Sequence, residues 1–328
     1  MRNGDEMNKL ISVIIPVYNT EKYVEKALSS VMEQTYKNLE IIVIDDKSTD
    51  DSPRIIDEIA AKDSRVRVYH SAENVGHSLA RNKGLELAHG DYFGFVDSDD
   101  YIHPQLYERL LSKMEENDTD IAICRNIAFK DEKELPDFKE ALTGKAKVET
   151  RSQYREHFMD PFTGPVSWVG TKLYKAELFE NTRFKDFFGE DLVINAEIAL
   201  KVKKVVWTED KLYAYRIRTD STTAAWTKDI SVPSAHSYLA ARDVLKDEDE
   251  QYSNRLTIYT IGKLANLYAN CNNDYGKEAA SKVYEIFARE YDNQRAVLFK
   301  AGARDTIKLF IARRLPAVFC RLATRITV

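Results

Sequence analysis

Between Ile11 and Phe129, short β-branched runs alternate with stretches of helical periodicity, and such a chain buries its apolar residues by stacking crossover helices on a parallel sheet. Ile11 to Val17 is a first run, closed by Pro16 and Asn19, and residues 21–34 follow with helical spacing. Residues 39–44 form a second run, after which Ser52 and Pro53 open a helix to about Lys62. Residues 65–70, 92–96 and 120–129 read as further strands, with helices over 76–89 and 104–117, so that strand and helix alternate without exception. Strands this apolar are buried on both faces, which makes the loops at their carboxyl ends the functional surface. Asn19, Asp45, Asp46, Asn74, Gly76 and residues 97–100 all fall at that edge.

Chemistry concentrates in two acidic strings. Phe95-Val96-Asp97-Ser98-Asp99-Asp100 ends a strand in Asp-x-Asp, and hard carboxylate oxygens in that crevice suit Mg²⁺ or Mn²⁺ bridging a diphosphate. Further on, Gly189-Glu190-Asp191-Leu192 opens a helix and offers a carboxylate free to act as a base. Carboxylates in a first helical turn also complement the helix dipole, so base and dipole partner both stand as readings of this pair.

At 328 residues, 44% apolar and 31% charged, the chain has room for a large α/β domain with an appendage. Residues 131–149 read as a loop or small hairpin, a helix is expected from Lys175 and another over 189–201, and short strands over 205–207 and 212–217. Beyond Trp226 strand signals vanish, and 237–244, 256–270 and 276–291 are helical by periodicity. The expected division is therefore 1–225 for the α/β domain and 226–328 for an all-helical region. Those apolar helices leave a homo-oligomer open.

The three cysteines, Cys124, Cys271 and Cys320, lie far apart without ligand spacing and read as buried free thiols. A polar amino terminus and the lack of a long uncharged apolar run predict a cytoplasmic chain. A net charge of -5 argues against a general nucleic-acid binder. From Ala301 to Val328, however, six basic residues face one acidic, giving that tail +5 and the remainder -10. Apolar residues recur there at helical spacing and Pro316 is expected to restart a helix. The tail is read either as an amphipathic segment on an anionic membrane surface at the inner face of the cell membrane or as a helix packed on its own domain.

Taken in order, Ser12-Val13-Ile14-Ile15-Pro16-Val17-Tyr18-Asn19, Ser30-Val31-Met32-Glu33-Gln34-Thr35-Tyr36, Ile44-Asp45-Asp46-Lys47-Ser48-Thr49-Asp50, Asn74-Val75-Gly76 with Ala80-Arg81-Asn82, Val96-Asp97-Ser98-Asp99-Asp100 and Gly189-Glu190-Asp191 resemble the inverting family 2 glycosyltransferases of GT-A fold, of the bacterial capsule, exopolysaccharide and wall-polymer kind. The resemblance covers about residues 10–221. It implies a Rossmann-like, mostly parallel sheet with flanking helices, a nucleotide-diphosphate sugar donor, UDP-linked by preference, and a glycan or lipid-linked glycan acceptor.

It also implies roles. Pro16, Tyr18 and Asn19 fall where base and ribose dock, with Asn74 and Gly76 in the same nucleotide-binding strings. Asp46 resembles the acceptor of the uracil N–H, and Arg81 the residue contacting the nucleotide from the third helix. Asp97 is similar to the ribose-side Asp of the DxD motif, with Ser98 between it and the metal-coordinating Asp99. Asp191 matches the base, and Glu190 orients the acceptor or helps at the metal. Tyr213-Ala214-Tyr215-Arg216-Ile217-Arg218 resembles a segment whose arginines close over the diphosphate, so Arg216 and Arg218 join the nucleotide-binding set. Trp168 is read as a platform for an acceptor sugar or as a core residue. His77 is read as a cap and His236 as a late metal ligand left open. Competing classes are a sugar-nucleotide nucleotidyltransferase, which would carry a Gly-rich phosphate loop after the first strand where Pro16-Val17-Tyr18-Asn19-Thr20 stands, and a non-catalytic nucleotide-sugar-binding protein.

Overall fold

The computed structural model describes residues 9–130, 138, 142–159, 166–218, 231–246, 249–274, 277–299 and 302–323. Gly164, Pro165, Thr219 to Ser221, the expected 225/226 boundary, Gly276, Arg325, Ile326 and most of 131–141 lie outside the described residues.

The amino-terminal run forms β1 (Ile11–Val17), followed by α1 (Val24–Met32), β2 (Leu39–Asp45), α2 (Ser52–Ala60), β3 (Val66–His70), α3 (His77–Leu87) and β4 (Tyr92–Phe95). These strands pair in parallel in the order β3-β2-β1-β4. Their alternate residues serve two layers. Val13, Ile15, Val17, Ile41 and Val43 pack with Val24, Leu28 and Ile56, whereas Ile42 and Ile44 pack with Ala80 of α3. Each such side chain contributes about 1.5–3 kcal/mol on burial. Helix α3 comes very close to β1, because a Cβ on Gly84 would stand 2.3 Å from Ile14 Cγ2.

Past β4 the sheet becomes mixed. β5 (Tyr101–Ile102), α4 (Leu106–Asn117), β6 (Ile121–Phe129), β7 (Ala146–Thr150), α5 (Arg151–Glu156), β8 (Lys172–Lys175), α6 (Glu190–Ala199) and β9 (Lys204–Arg216) follow, and the full order is β3-β2-β1-β4-β8-β6-β9-β5 with β7 on β9. Three expectations are corrected here. The helix expected from Lys175 is only a 3₁₀ turn at Ala176–Phe179, and an unexpected strand, β8, precedes it, inserted antiparallel between β4 and β6. Leu173 and Tyr174 are wholly buried between the two strand partners of β8. The two short strands at 205–207 and 212–217 are the single strand β9, whose pairing with β6 is parallel and shifts register around Arg125. Strict alternation also fails, since β5 follows β4 without an intervening helix.

The chain divides into two compact units: 1–157 with 161–186 and 198–218, and 158–160 with 187–197 and 219–328. The whole sheet lies in the first. The second contains helices Ser231–Leu245, Glu250–Asp274, Lys277–Asn293, Arg295–Leu298, Ala303–Arg314 and Pro316–Ala323, with Leu239, Ile261, Leu264, Phe287, Leu309 and Phe319 in its core. Pro316 is the first residue of its helix, as its fixed φ favours. Leu309 and Ala312 face the core, while Ile307, Phe310 and Leu315 are each more than half exposed. All three cysteines are buried and free, as expected.

Candidate active site

Parallel order β3-β2-β1-β4 reverses direction at β1, and in open α/β sheets a ligand crevice opens beyond the strand ends at such a switch. Loops after β1, β2 and β4 meet there. Asn19 adopts φ 50°, a left-handed conformation that Asn tolerates better than most residues. Its Oδ1 accepts the Thr49 N–H at 2.8 Å and its own N–H donates to Ser48 Oγ at 3.1 Å, so the β1 loop is tied to the β2 loop. Thr20 Oγ1 bonds Ser98 Oγ at 3.1 Å and ties the same loop to the one after β4. Tyr18 between them is 49% exposed. Pro16 is buried within β1.

Asp46 is buried, and its two oxygens accept the N–H groups of Val75 and Gly76 at 2.8 Å each. Asn74 Nδ2 donates to the Asp46 carbonyl at 3.1 Å. Three predicted residues are thus brought into one clasp that shapes the turn entering α3, where Gly76 takes φ 85°. Each Asp46 oxygen retains a second lone pair, so the clasp leaves acceptor capacity. Its neighbour Asp45 holds His70 Nδ1 at 2.9 Å, and His70 Nε2 lies 3.2 Å from Asp57. The bond to Asp45 raises the His70 pKa above the ordinary imidazole value, with Asp57 adding to it.

The loop after β4 gathers three carboxylates. Arg81, from α3, is nearly buried and places Nη2 2.7 Å from Asp97 Oδ1, while Asp97 itself is 40% exposed. Asp99 receives Arg218 Nη1 at 3.0 Å on its carboxylate and Arg216 Nε at 2.8 Å on its carbonyl. Both guanidinium groups lie 4.6 Å from the Tyr23 ring centre. Asp100 is buried and accepts the Tyr213 hydroxyl and the Arg216 N–H at 2.7 Å each. Tyr213 in turn accepts the Asp97 N–H at 3.2 Å. Burial raises the Asp99 pKa, the charge of Asp97 raises it further, and Arg218 opposes both. Burial and the charges of Asp99 and Asp97 push Asp100 well above the usual carboxylate range. Like charges this close call for a cation.

Asp100 and Tyr213 were not singled out as site residues by sequence reasoning. The third Asp of the string was the available signal, but its partners come from β9, more than a hundred positions away. Glu190 and Asp191 occupy the first turn of α6 in the second unit. Gly189 before them has φ 76°, and a Cβ there would stand 2.5 Å from Ser237 Oγ, whose hydroxyl donates to the Phe188 carbonyl. The Asp191 carbonyl accepts Asn195 Nδ2 at 2.7 Å, which fixes the turn. His77 begins α3, and His236 is exposed on helix Ser231–Leu245.

Any divalent metal at this loop would be held by few protein ligands. Among the described residues no group of three or more His, Cys, Asp or Glu is arranged around a common point. Asp99 nevertheless fits a hard divalent ion: its carboxylate is 24% exposed, has Asp97 as a like-charged neighbour and already faces a cation in Arg218. Mg²⁺-type sites of one or two carboxylates are completed by substrate phosphates and water.

A family model described as Glycosyl transferase family 2 matches residues 12–183. Glycosyltransferase GlyA of Streptococcus pneumoniae serotype 4 is 40% identical over 66% of this chain, which spans 32% of GlyA's length. Among solved structures, Staphylococcus aureus TarS 1-349 in complex with UDP superposes with a TM-score of 0.71 at 19% identity, covering 96% of this chain and 90% of that one. Another TarS 1-349 structure is a complex with UDP-GlcNAc. The mannosyltransferase PcManGT from Pyrobaculum calidifontis, in complex with GDP-Man and Mn²⁺, gives 0.56 at 16% identity, covering 96% of this chain and 86% of that one. At these identities the structural matches speak to fold.

Proposed function

Because this chain belongs to glycosyl transferase family 2, we propose that it transfers a sugar from a nucleotide-diphosphate donor, UDP-linked by preference, to a hydroxyl of a glycan or lipid-linked glycan, with inversion, in the synthesis of a bacterial cell-surface polymer. The observation that carries this reading is the acidic loop after β4, where Asp97, Asp99 and Asp100 converge with Arg81, Arg216 and Arg218 at the sheet's switch point. TarS with UDP-GlcNAc and PcManGT with GDP-Man and Mn²⁺ share the fold and support a nucleotide-sugar donor and a divalent cofactor.

In this reading Tyr18, Asn19 and Pro16 line the base and ribose, Asp46 accepts the base N–H with its remaining lone pairs, and the clasp with Asn74 and Gly76 keeps that carboxylate in place. Asp97, steadied by Arg81, receives the ribose side, with Ser98 next to it tying the loop to Thr20. Asp99 would hold Mn²⁺ or Mg²⁺, and such an ion would supply positive charge to offset that of the departing diphosphate. Arg216 and Arg218 supply bidentate donors to the same phosphates. The Asp191 carboxylate takes the proton from the attacking acceptor hydroxyl as the bond to the sugar forms, and Glu190 orients that hydroxyl. One displacement at the anomeric carbon inverts it, so no protein nucleophile is needed.

We place the protein in the cytoplasm, peripheral to the membrane's inner face. Exposed Ile307, Phe310, Leu315, Val318 and Leu322 alternate with Arg304, Lys308, Arg314 and Arg321, a composition suited to an anionic surface and to a lipid-linked acceptor. No helix among the described residues is long and apolar enough to cross a membrane.

The deciding experiment measures binding and turnover of UDP-, GDP-, dTDP- and CMP-sugars with Mn²⁺ or EDTA, in the wild type, Asp99→Ala and Asp191→Asn. The expected result is metal-dependent binding of one donor, lost in Asp99→Ala, with turnover alone lost in Asp191→Asn. Failure of every nucleotide sugar to bind under both conditions overturns the reading.

A further inference from the structure

Trp168 is 38% exposed although its neighbours Val166, Val169 and Thr171 are 6%, 1% and 0% exposed. An indole presented to solvent from so firmly seated a turn is not filling a core. The seat is built from both sides. Lys172, itself 1% exposed, donates its ammonium to the Trp168 carbonyl. Gly170 lies against Tyr213, where a Cβ would stand 2.7 Å from the ring, and the Tyr213 hydroxyl bonds Asp100 and the Asp97 N–H. Strand register gives the same placement: Leu173 of β8 pairs with Gly94 of β4, so the residues ahead of β8 run beside the continuation of β4 into Asp97.

The indole is also paired. Its ring centroid lies 5.0 Å from that of Tyr215 at an interplanar angle of 34°, a tilted aromatic pair. Tyr215 is half-buried, and the charges of Asp100, Asp99 and Asp97 raise its phenol pKa beyond what burial does alone. The aromatic pair therefore stands beside the acidic loop, on the β8 and β9 side. The Tyr18, Asn19 and Asp46 loops occupy the other side, at β1 and β2. A nucleotide base on that side leaves this pair free for a different ring.

We propose that Trp168 and Tyr215 form an aromatic platform that binds the C–H face of a neutral pyranose, the terminal sugar of the acceptor, next to the diphosphate edge. The assignment rests on the glycosyl-transfer reading of the site. A pyranose with its axial hydrogens on one face matches a flat apolar ring, while its equatorial hydroxyls stay in water or reach nearby carboxylates.

Saturation-transfer NMR on the full chain loaded with UDP and Mn²⁺ tests this, with methyl β-D-glucopyranoside, methyl β-D-galactopyranoside and methyl N-acetyl-β-D-glucosaminide as probes. Wild type and Trp168→Phe are expected to saturate the ring hydrogens of one face of at least one glycoside, and Trp168→Ala to lose that signal by about fivefold to tenfold with UDP affinity unchanged. Equal signals in wild type and Trp168→Ala, or no signal from any glycoside on UDP-bound wild type, overturn the platform. Absence of UDP binding to wild type overturns the transfer reading instead, and the platform with it.

Discussion

Replacing Arg218 by Met should make the nucleotide-free protein bind Mn²⁺ more tightly. In the structure the Arg218 guanidinium occupies the open side of Asp99 at 3.0 Å, with the two groups 13% and 24% exposed. Two unit charges about 4 Å apart at an effective dielectric of about 20 attract by about 4 kcal/mol. Solvent screening and the ordering of a long side chain remove more than half of that, leaving about 1.5 kcal/mol, or about tenfold in an equilibrium constant. A metal ion reaching Asp99 must displace this partner, so its removal returns that tenfold to the ion. Methionine keeps an apolar stem against Tyr23 and leaves Asp97 and Asp100 untouched. Without its countercharge Asp99 becomes harder to ionise, so the titration belongs at about pH 7.5, well above ordinary carboxylate values. The assay is the loss of the free Mn²⁺ electron paramagnetic resonance signal on addition of protein. An affinity in Arg218→Met equal to or weaker than wild type refutes the reasoning. The same variant should bind UDP with Mn²⁺ more weakly, because a diphosphate partner is gone.

Other outcomes follow from packing and charge. Gly84→Ala drives a methyl into Ile14 at 2.3 Å, and should cost about 1–3 kcal/mol in urea denaturation even after its gain in helix propensity; an unchanged midpoint would show that α3 can move away. His70, with its pKa raised by Asp45, adds stability that is complete below the unfolded imidazole value of about 6.5 and lost as pH climbs through the folded value. At 43% exposure the effect stays within about 1 kcal/mol, so wild type should lose stability relative to His70→Gln between about pH 6 and pH 8, and parallel pH curves would exclude the linkage. The full chain should sediment with phosphatidylglycerol vesicles but not with phosphatidylcholine ones, and Ile307→Ser with Phe310→Ser should abolish this; equal sedimentation of the double variant returns the exposed apolar residues to another use.

Local chemistry was readable and long-range pairing was not. β1 declares itself because it is buried along its whole length and is mostly β-branched. The Asp97 to Asp100 string is read from its own residues at the end of such a strand. β8 hides because Lys-Leu-Tyr-Lys is a strand only between β4 and β6, and a four-residue segment carries too little pattern to outweigh neighbouring helical spacing. Resemblance to a family segment suggested Arg216 and Arg218 as phosphate binders, yet their resting partners on Asp99 depend on β9 running beside β6 and β5. The Asp46 clasp was invisible for a related reason. A carboxylate binding two backbone N–H groups thirty residues away leaves no trace in side-chain pattern.

Strand β8 has one further consequence. It is bonded on both sides, to β4 and β6, and β7 ahead of it is itself bonded to β9. Backbone ladders of this kind hold whatever side chains they carry, so exposed positions such as Leu142 and Val148 can drift while β1, β2 and β4 keep their register and the carboxylate loop its shape. A lineage built on this plan can vary that surface by substitution rather than by rebuilding, and a designer can do the same.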